Sequence, residues 1–129
     1  MSIREAPEEY FRQFISRRDA LLERLEQEAA QEEIPIIGPL AGALLGLLVR
    51  ATRAENVLEL GTATGYSAIF LARALPVDRG QVVTLEQEQA MATRARANIR
   101  EAGLETRVEI REGSALDLLA DMQGPFDFI

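Results

Sequence analysis

One carboxylate, two glycines and four hydroxyls fall within nine residues, Glu59-Leu-Gly61-Thr62-Ala-Thr-Gly65-Tyr-Ser67. An apolar run over residues 57–60 leads into them, and a helical pattern leaves them over residues 66–75. A strand, a glycine turn and a helix in that order build the ligand-binding corner of an open α/β sheet, where small molecules sit outside the carboxyl ends of the strands. Gly61 and Gly65 can take positive φ and let a ligand reach the main chain with no Cβ in its way. The helix that starts after Gly65 presents unpaired N–H groups, which suit a carboxylate or a phosphate. Glu86 stands twenty-one residues beyond Gly65, at the tip of a second apolar run over residues 81–85. A carboxylate in that place can accept hydrogen bonds from both hydroxyls of a ribose. Turn and carboxylate together read as a nucleoside pocket.

What the chain lacks narrows the chemistry. Its 129 residues contain no Cys, no His and no Lys, so all fourteen basic residues are Arg. Disulfides, thiolate or His-ligated zinc, and Ser-His-Asp or Cys-His catalysis are excluded within these residues. A general base has to be a carboxylate, a tyrosine, a metal-bound group or the substrate itself. The net charge of -7 argues against a nucleic-acid partner and against an anionic membrane surface. An apolar content of 47% with 27% charged residues fits a globular cytoplasmic domain, and the charged start carries no signal-peptide pattern.

The elements that would position these groups can be read in order. Residues 6–33 predict an amphipathic helix, in one piece or two, with Tyr10, Phe11, Phe14, Ile15, Leu21, Leu22 and Leu25 at helical spacing. Residues 34–39 break it. The apolar run over 36–49 is fourteen residues, short of the roughly 20 that cross a bilayer, and predicts a buried helix whose Gly42 and Gly46 form a small face for close packing. Beyond the glycine turn come a strand at 81–85, a helix at 88–102 stopped by Gly103, and a strand at 104–110 with Val108 and Ile110 on one face. A short helix at 117–122, the Gly124-Pro125 turn and a fourth strand at 126–129 complete the chain. Alternating strands and helices predict a parallel sheet. The organisation is a helical segment, residues 1–53, followed by an α/β unit, residues 54–129.

The spacing Glu-x-Gly-x-x-x-Gly resembles the first motif of class I S-adenosylmethionine-dependent methyltransferases. The full run with Tyr66 and Ser67 in place is similar to the O-methyltransferases of the catechol and caffeoyl-coenzyme A type. The resemblance implies a Rossmann-like, doubly wound parallel sheet in strand order 3-2-1-4 with N-terminal helices packed on it. It implies S-adenosylmethionine as cofactor and methyl transfer to a phenolic or catechol-like hydroxyl of a small molecule. Carried over by position, Glu59, Gly61, Thr62 and Ser67 hold the methionine portion and, with Gly65, shape the turn. Glu86 takes the ribose, Ala115 in a Gly113-Ser-Ala turn contacts adenine, and Ile37 matches a lid contact over the methionine end.

Such relatives use a divalent, Mg-like metal whose ligands, with a lysine base, follow the stretch matching residues 126–129. Nothing here corresponds to them, no catalytic residue is assigned, and Asp127 reads as structural. The resemblance covers nearly all of this chain but only the first half to two-thirds of a typical family member. The chain is therefore expected to carry the cofactor part, to stop at strand 4 and to lack activity alone. A homodimer is expected, with no nucleic-acid or membrane partner. Two other readings stay open. An NAD-dependent oxidoreductase shares the turn and Glu86 but wants G-x-G-x-x-G. A non-catalytic oligomerising module would use the Leu-rich helices and an open fourth strand. Glu59 also has a purely structural reading, as a buried carboxylate accepting N–H bonds from the glycine turn.

Overall fold

The computed structural model describes residues 3, 4 and 6–129. The N-terminal amphipathic stretch forms two helices, α1 (Pro7–Arg12) and α2 (Ala20–Glu32). Asp19 starts the second by accepting the Leu22 N–H at 3.0 Å, an N-cap that holds its carboxyl below the usual range. α2 turns Leu21, Leu22, Leu25 and Ala29 inward. The apolar helix α3 (Gly38–Thr52) follows, with Pro39 in its first turn, where a missing N–H costs no hydrogen bond.

Strand β1 (Asn56–Leu60), helix α4 (Tyr66–Ala74), strand β2 (Gln81–Glu86), helix α5 (Gln89–Glu101), strand β3 (Val108–Glu112) and helix α6 (Ala115–Asp121) then alternate. β2 lies between β1 and β3, and both pairings are parallel. The register sets Glu59 beside Thr84, Leu60 beside Leu85 and Glu86 beside Glu112, so the carboxyl ends of all three strands finish at one edge. Both faces of the sheet are covered, which is why its strands read as apolar runs rather than alternating ones. On one face Val57 and Val82 join Leu25, Val49, Ile69 and Ile99 in a core shared by α2, α3, α4 and α5. On the other, Leu58, Val83 and Leu85 pack against Leu118 and Leu119 of α6.

The small face of α3 works as its glycines suggest. A Cβ on Gly42 would stand 2.7 Å from the Phe70 ring, and one on Gly46 would stand 3.7 Å from Ala74. Positions 42 and 46 thus match 70 and 74, so α3 and α4 run parallel and begin at the same end of the sheet. The helix is not buried all round, however. Pro39, Gly42, Gly46 and Val49 are inside, whereas Leu44, Leu47 and Leu48 are 53%, 60% and 40% exposed. An apolar run without a polar face says that a helix can be buried on every side. How much of it is covered depends on its neighbours. Charge pairs fasten α2 to α5: Arg94 reaches Glu28 at 2.8 Å and Glu32 at 2.7 Å, and Arg24 reaches Glu28 at 2.8 Å and Glu101 at 2.7 Å. The Glu28 carboxyl is lowered by Arg94 first and Arg24 second.

Three boundaries differ from the sequence reading. β3 begins at Val108, not at residue 104. Leu104 instead closes the end of α5: its N–H donates to Ile99 O at 3.0 Å, its side chain is buried, and its carbonyl accepts from Arg107 and Val108. The apolar residue that looks like a strand start is the hydrophobic contact of a helix terminus built on Gly103, which has φ +69°. α6 starts two residues early, at Ala115. Residues 126–129 make one parallel bridge, Phe128 to Val57, rather than a fourth strand, so the sheet order is 3-2-1. The bridge carries two backbone hydrogen bonds, too few for a ladder, and the Asp127 carboxylate adds two more by accepting the N–H groups of Glu55 and Asn56 at 2.8 Å each. Among the described residues no helix is long and apolar enough to cross a membrane.

Candidate functional site

The carboxyl edge of the sheet gathers most of the residues singled out by sequence. β1 ends at Leu60, and Gly61 turns the chain with φ +94° while donating its N–H to Leu85 O at 2.9 Å. A Cβ there would meet nothing within 4 Å, so the main chain at Gly61 faces open space. Gly65 also has positive φ, +84°, but its missing Cβ points at Ala95 and Ile99 of α5, 3.5 Å away. The open approach expected across both glycines therefore exists at Gly61 alone. Gly65 lets the turn enter α4 while that helix packs on α5.

Gly65 is the N-cap of α4 and offers no side chain to it. Among the described residues nothing accepts the N–H groups of Tyr66, Ser67 and Ala68. These are the orphan donors of a helix start, carrying its partial positive charge.

Two carboxylates hold the turn and its surroundings. Glu86, at the tip of β2, accepts the Ala63 N–H at 2.8 Å through Oε2 and the Glu88 N–H at 2.9 Å through Oε1. It thus does what a structural reading expected of Glu59. A carboxylate has about four lone-pair positions, so each Glu86 oxygen keeps one free. Glu59 instead ends a chain of hydroxyls. Thr84 Oγ1 donates to Glu59 Oε1 at 2.7 Å and lies 2.6 Å from Thr62 Oγ1. A hydroxyl has one proton, so with Thr84 donating to Glu59, Thr62 must donate to Thr84. Burial pushes the Glu59 carboxyl above the usual range, while hydrogen bonds from Ser67 and Thr84 pull it back.

The remaining residues divide. Gly113, with φ +144°, donates its N–H to the Glu86 carbonyl at 2.9 Å, which ties the turn after β3 to the tip of β2. Ala115 is the first residue of α6 and packs against the Leu58 cluster. Gly61, Thr62, Ser67, Glu86 and Ala115 therefore belong to one edge. Ile37 lies on another element, as the N-cap of α3, and is 44% exposed.

Sequence reading missed several supports. Thr84 is fully buried in the middle of β2, and a hydroxyl in an apolar run is itself a signal that a partner is waiting. Ala63 sits at φ +46° and gives its N–H to Glu86. Tyr66 donates its hydroxyl to Glu26 Oε1 of α2 at 2.6 Å, and Arg18 grips both oxygens of that carboxylate at 2.8 and 3.1 Å. Burial, then the Glu26 bond, pushes the Tyr66 hydroxyl far above its ordinary value, so it stays protonated. Asn98 of α5 donates to the Thr64 carbonyl at 2.8 Å. The turn is thus clamped from α2, α5 and β2.

The arrangement can hold a polar ligand against a fixed main chain. No cluster of three acidic, His or Cys residues suited to a metal ion occurs among the described residues.

The chain is similar to known proteins over nearly its whole length. The family profile described as O-methyltransferase matches residues 13–129. A catechol O-methyltransferase of Niastella koreensis is 39% identical over 97% of this chain and 59% of its own length. The solved structure of an O-methyltransferase from Bacillus cereus in complex with SAH is 42% identical with a TM-score of 0.84, covering 95% of this chain and 58% of that one. TomG from Streptomyces achromogenes, an O-methyltransferase involved in tomaymycin synthesis and solved with SAM, is 38% identical with a TM-score of 0.83, over 94% and 56%. This chain spans less than three fifths of the length of each of these relatives.

Proposed function

The chain belongs to the O-methyltransferase family, and from that membership we propose that it supplies the S-adenosylmethionine-binding part of an enzyme that methylates a hydroxyl of a small molecule. The observation that carries the proposal is the edge itself: an open main chain at Gly61, three unpaired N–H groups at the start of α4, and a half-satisfied Glu86 one strand away.

The donor set fits the cofactor. The free lone pairs of Glu86 suit the two ribose hydroxyls, and its bond to Ala63 keeps the carboxylate from swinging away. The α4 start and the Gly61 face suit the amino-acid end, with Thr62 and Ser67 shaping the wall. Glu59 is fixed by Thr84 before anything binds. Ala115, the first residue of α6 beside the Gly113 turn that bonds Glu86, is read as the contact for the base, and Ile37 as the lid contact. When bound, the cofactor supplies an electrophilic sulfonium methyl for in-line displacement. The work of this chain is to hold that methyl in position for in-line attack.

The acceptor belongs to the same proposal as phenolic or catechol-like, supported by the names of the relatives. A divalent metal that would acidify it also belongs there, but these residues do not fit one and no step is routed through it. The exposed leucines of α3 support a homodimer, and the composition supports a cytoplasmic setting.

Thermal unfolding with S-adenosylhomocysteine and with NADH tests the reading. A ligand bound only by the folded chain stabilises it by about 2.7 kcal/mol at a hundredfold excess over Kd. Adenosylhomocysteine should raise the transition, NADH should not, and Glu86→Ala should weaken the former at least tenfold. A shift with NADH alone would replace the proposal with the nicotinamide one.

A further inference from the structure

A concavity lies on the flank of the molecule, between the linker before α2, the side of α3 that runs from Pro39 to Arg50, and Phe70 and Arg73 of α4. Its volume is about 320 Å3, and four arginines line it: Arg17, Arg18, Arg50 and Arg73. Asp19 is the one acidic residue among its lining. Arg73 is seven residues past Tyr66, so about 10 Å along α4 from the proposed cofactor edge.

The charges there do not cancel. Arg73 pairs with Asp19 at 2.6 Å, and Arg18 pairs with Glu26. Arg17 and Arg50 have no ion pair or side-chain hydrogen bond among the described residues. Two uncompensated guanidiniums therefore share a concavity in a chain whose net charge is -7. Phe70 forms part of the wall, and an apolar wall strengthens the field that a bound ion feels. Guanidinium forks match phosphate oxygens in pairs. The volume is at the low end of small-molecule pockets, roughly 300–1,000 Å3, so it admits a phosphate with a small organic group attached.

We propose that this cavity binds a small phosphorylated molecule, its phosphate or pyrophosphate taken by Arg17 and Arg50 and its remainder lying toward Phe70. The site is separate from the cofactor edge and does not depend on it.

The test uses inorganic pyrophosphate at fixed ionic strength, followed by calorimetry and by amide NMR shifts. Binding should be saturable, with shifts centred on residues 16–19, 46–50 and 70–73. The double variant Arg17→Gln/Arg50→Gln should weaken it at least tenfold, and Arg53→Gln, an arginine that does not line the cavity, should leave it unchanged. Arg17 and Arg50 are exposed, so the variants should keep their circular dichroism and their adenosylhomocysteine binding. If the double variant fails to fold, Arg50→Gln alone must still weaken binding at least threefold. Absence of saturable binding, shifts confined to residues 61–67, or an equal loss in Arg53→Gln would each overturn the proposal.

Discussion

Two alanine substitutions in one helix should move stability in opposite directions. Gly42 and Gly46 both lie in the interior of α3, where replacing glycine by alanine is worth about 1 kcal/mol through backbone entropy alone. At Gly46 nothing opposes that gain. The new Cβ would find Arg50 Nη1 at 3.6 Å, Ala74 Cβ at 3.7 Å and Phe70 O at 3.9 Å, all ordinary contacts. At Gly42 the same atom would stand 2.7 Å from two carbons of the Phe70 ring and 2.9 Å from a third. Carbon atoms prefer about 3.5–4.0 Å, so the ring would have to retreat by roughly 1 Å. Its neighbour Tyr66, 5.3 Å away between centroids, is itself bonded to Glu26 and leaves little room to do so. Overpacking of this kind costs about 1–3 kcal/mol, which outweighs the helical gain.

Gly46→Ala should therefore stabilise by about 1 kcal/mol and Gly42→Ala destabilise by about 1 kcal/mol. For a chain of this size that is a gap of roughly 6–8 °C in Tm. Urea unfolding followed by far-ultraviolet circular dichroism, with a common slope, measures both. A Gly42→Ala variant as stable as Gly46→Ala would refute the parallel, glycine-mediated seating of α3 on α4.

Two further outcomes follow from the polar clamps. Because burial raises the Glu59 carboxyl in the folded chain, the native state holds that proton more tightly than the unfolded state does. The group's contribution is thus greatest below its unfolded value near 4.5 and declines as pH rises through the folded one. Glu59→Gln, which can still accept from Thr84, should match the wild type near pH 4 and gain on it toward pH 8. A stability difference that stays constant with pH would mean Glu59 is not desolvated. Tyr66→Phe removes a donor from a charged acceptor and should cost about 1.5–3 kcal/mol. Glu26 keeps its two bonds from Arg18, so the helix order should persist, and an unchanged Tm would show that the 2.6 Å bond contributes nothing.

Much of the site was legible because it is local. The strand, glycine turn and helix around residues 57–75 occupy one continuous stretch. Positive φ at Gly61 and Gly65, and the placing of Glu86 at a strand end, are demands that neighbouring residues make on each other. The small face of Gly42 and Gly46 was legible for the same reason, since helical spacing puts them on one side.

What pairs with what was decided elsewhere. Glu59 meets Thr84 only because β1 and β2 pair in that register, and a shift of one residue would send Thr84 to the opposite face. The turn's N–H went to Glu86 rather than Glu59 for the same reason. Leu104 looks like a strand residue until the end of α5 claims it, and the exposed side of α3 is set by which helices happen to cover it. Arg17, Arg50 and Arg73 are scattered over more than fifty residues, and none of them is unusual where it stands. Sequence specifies conformations and faces through short-range sterics and periodicity. Hydrogen-bond partners, coverage and the gathering of like charges are long-range outcomes, and they exist only once the chain has closed on itself.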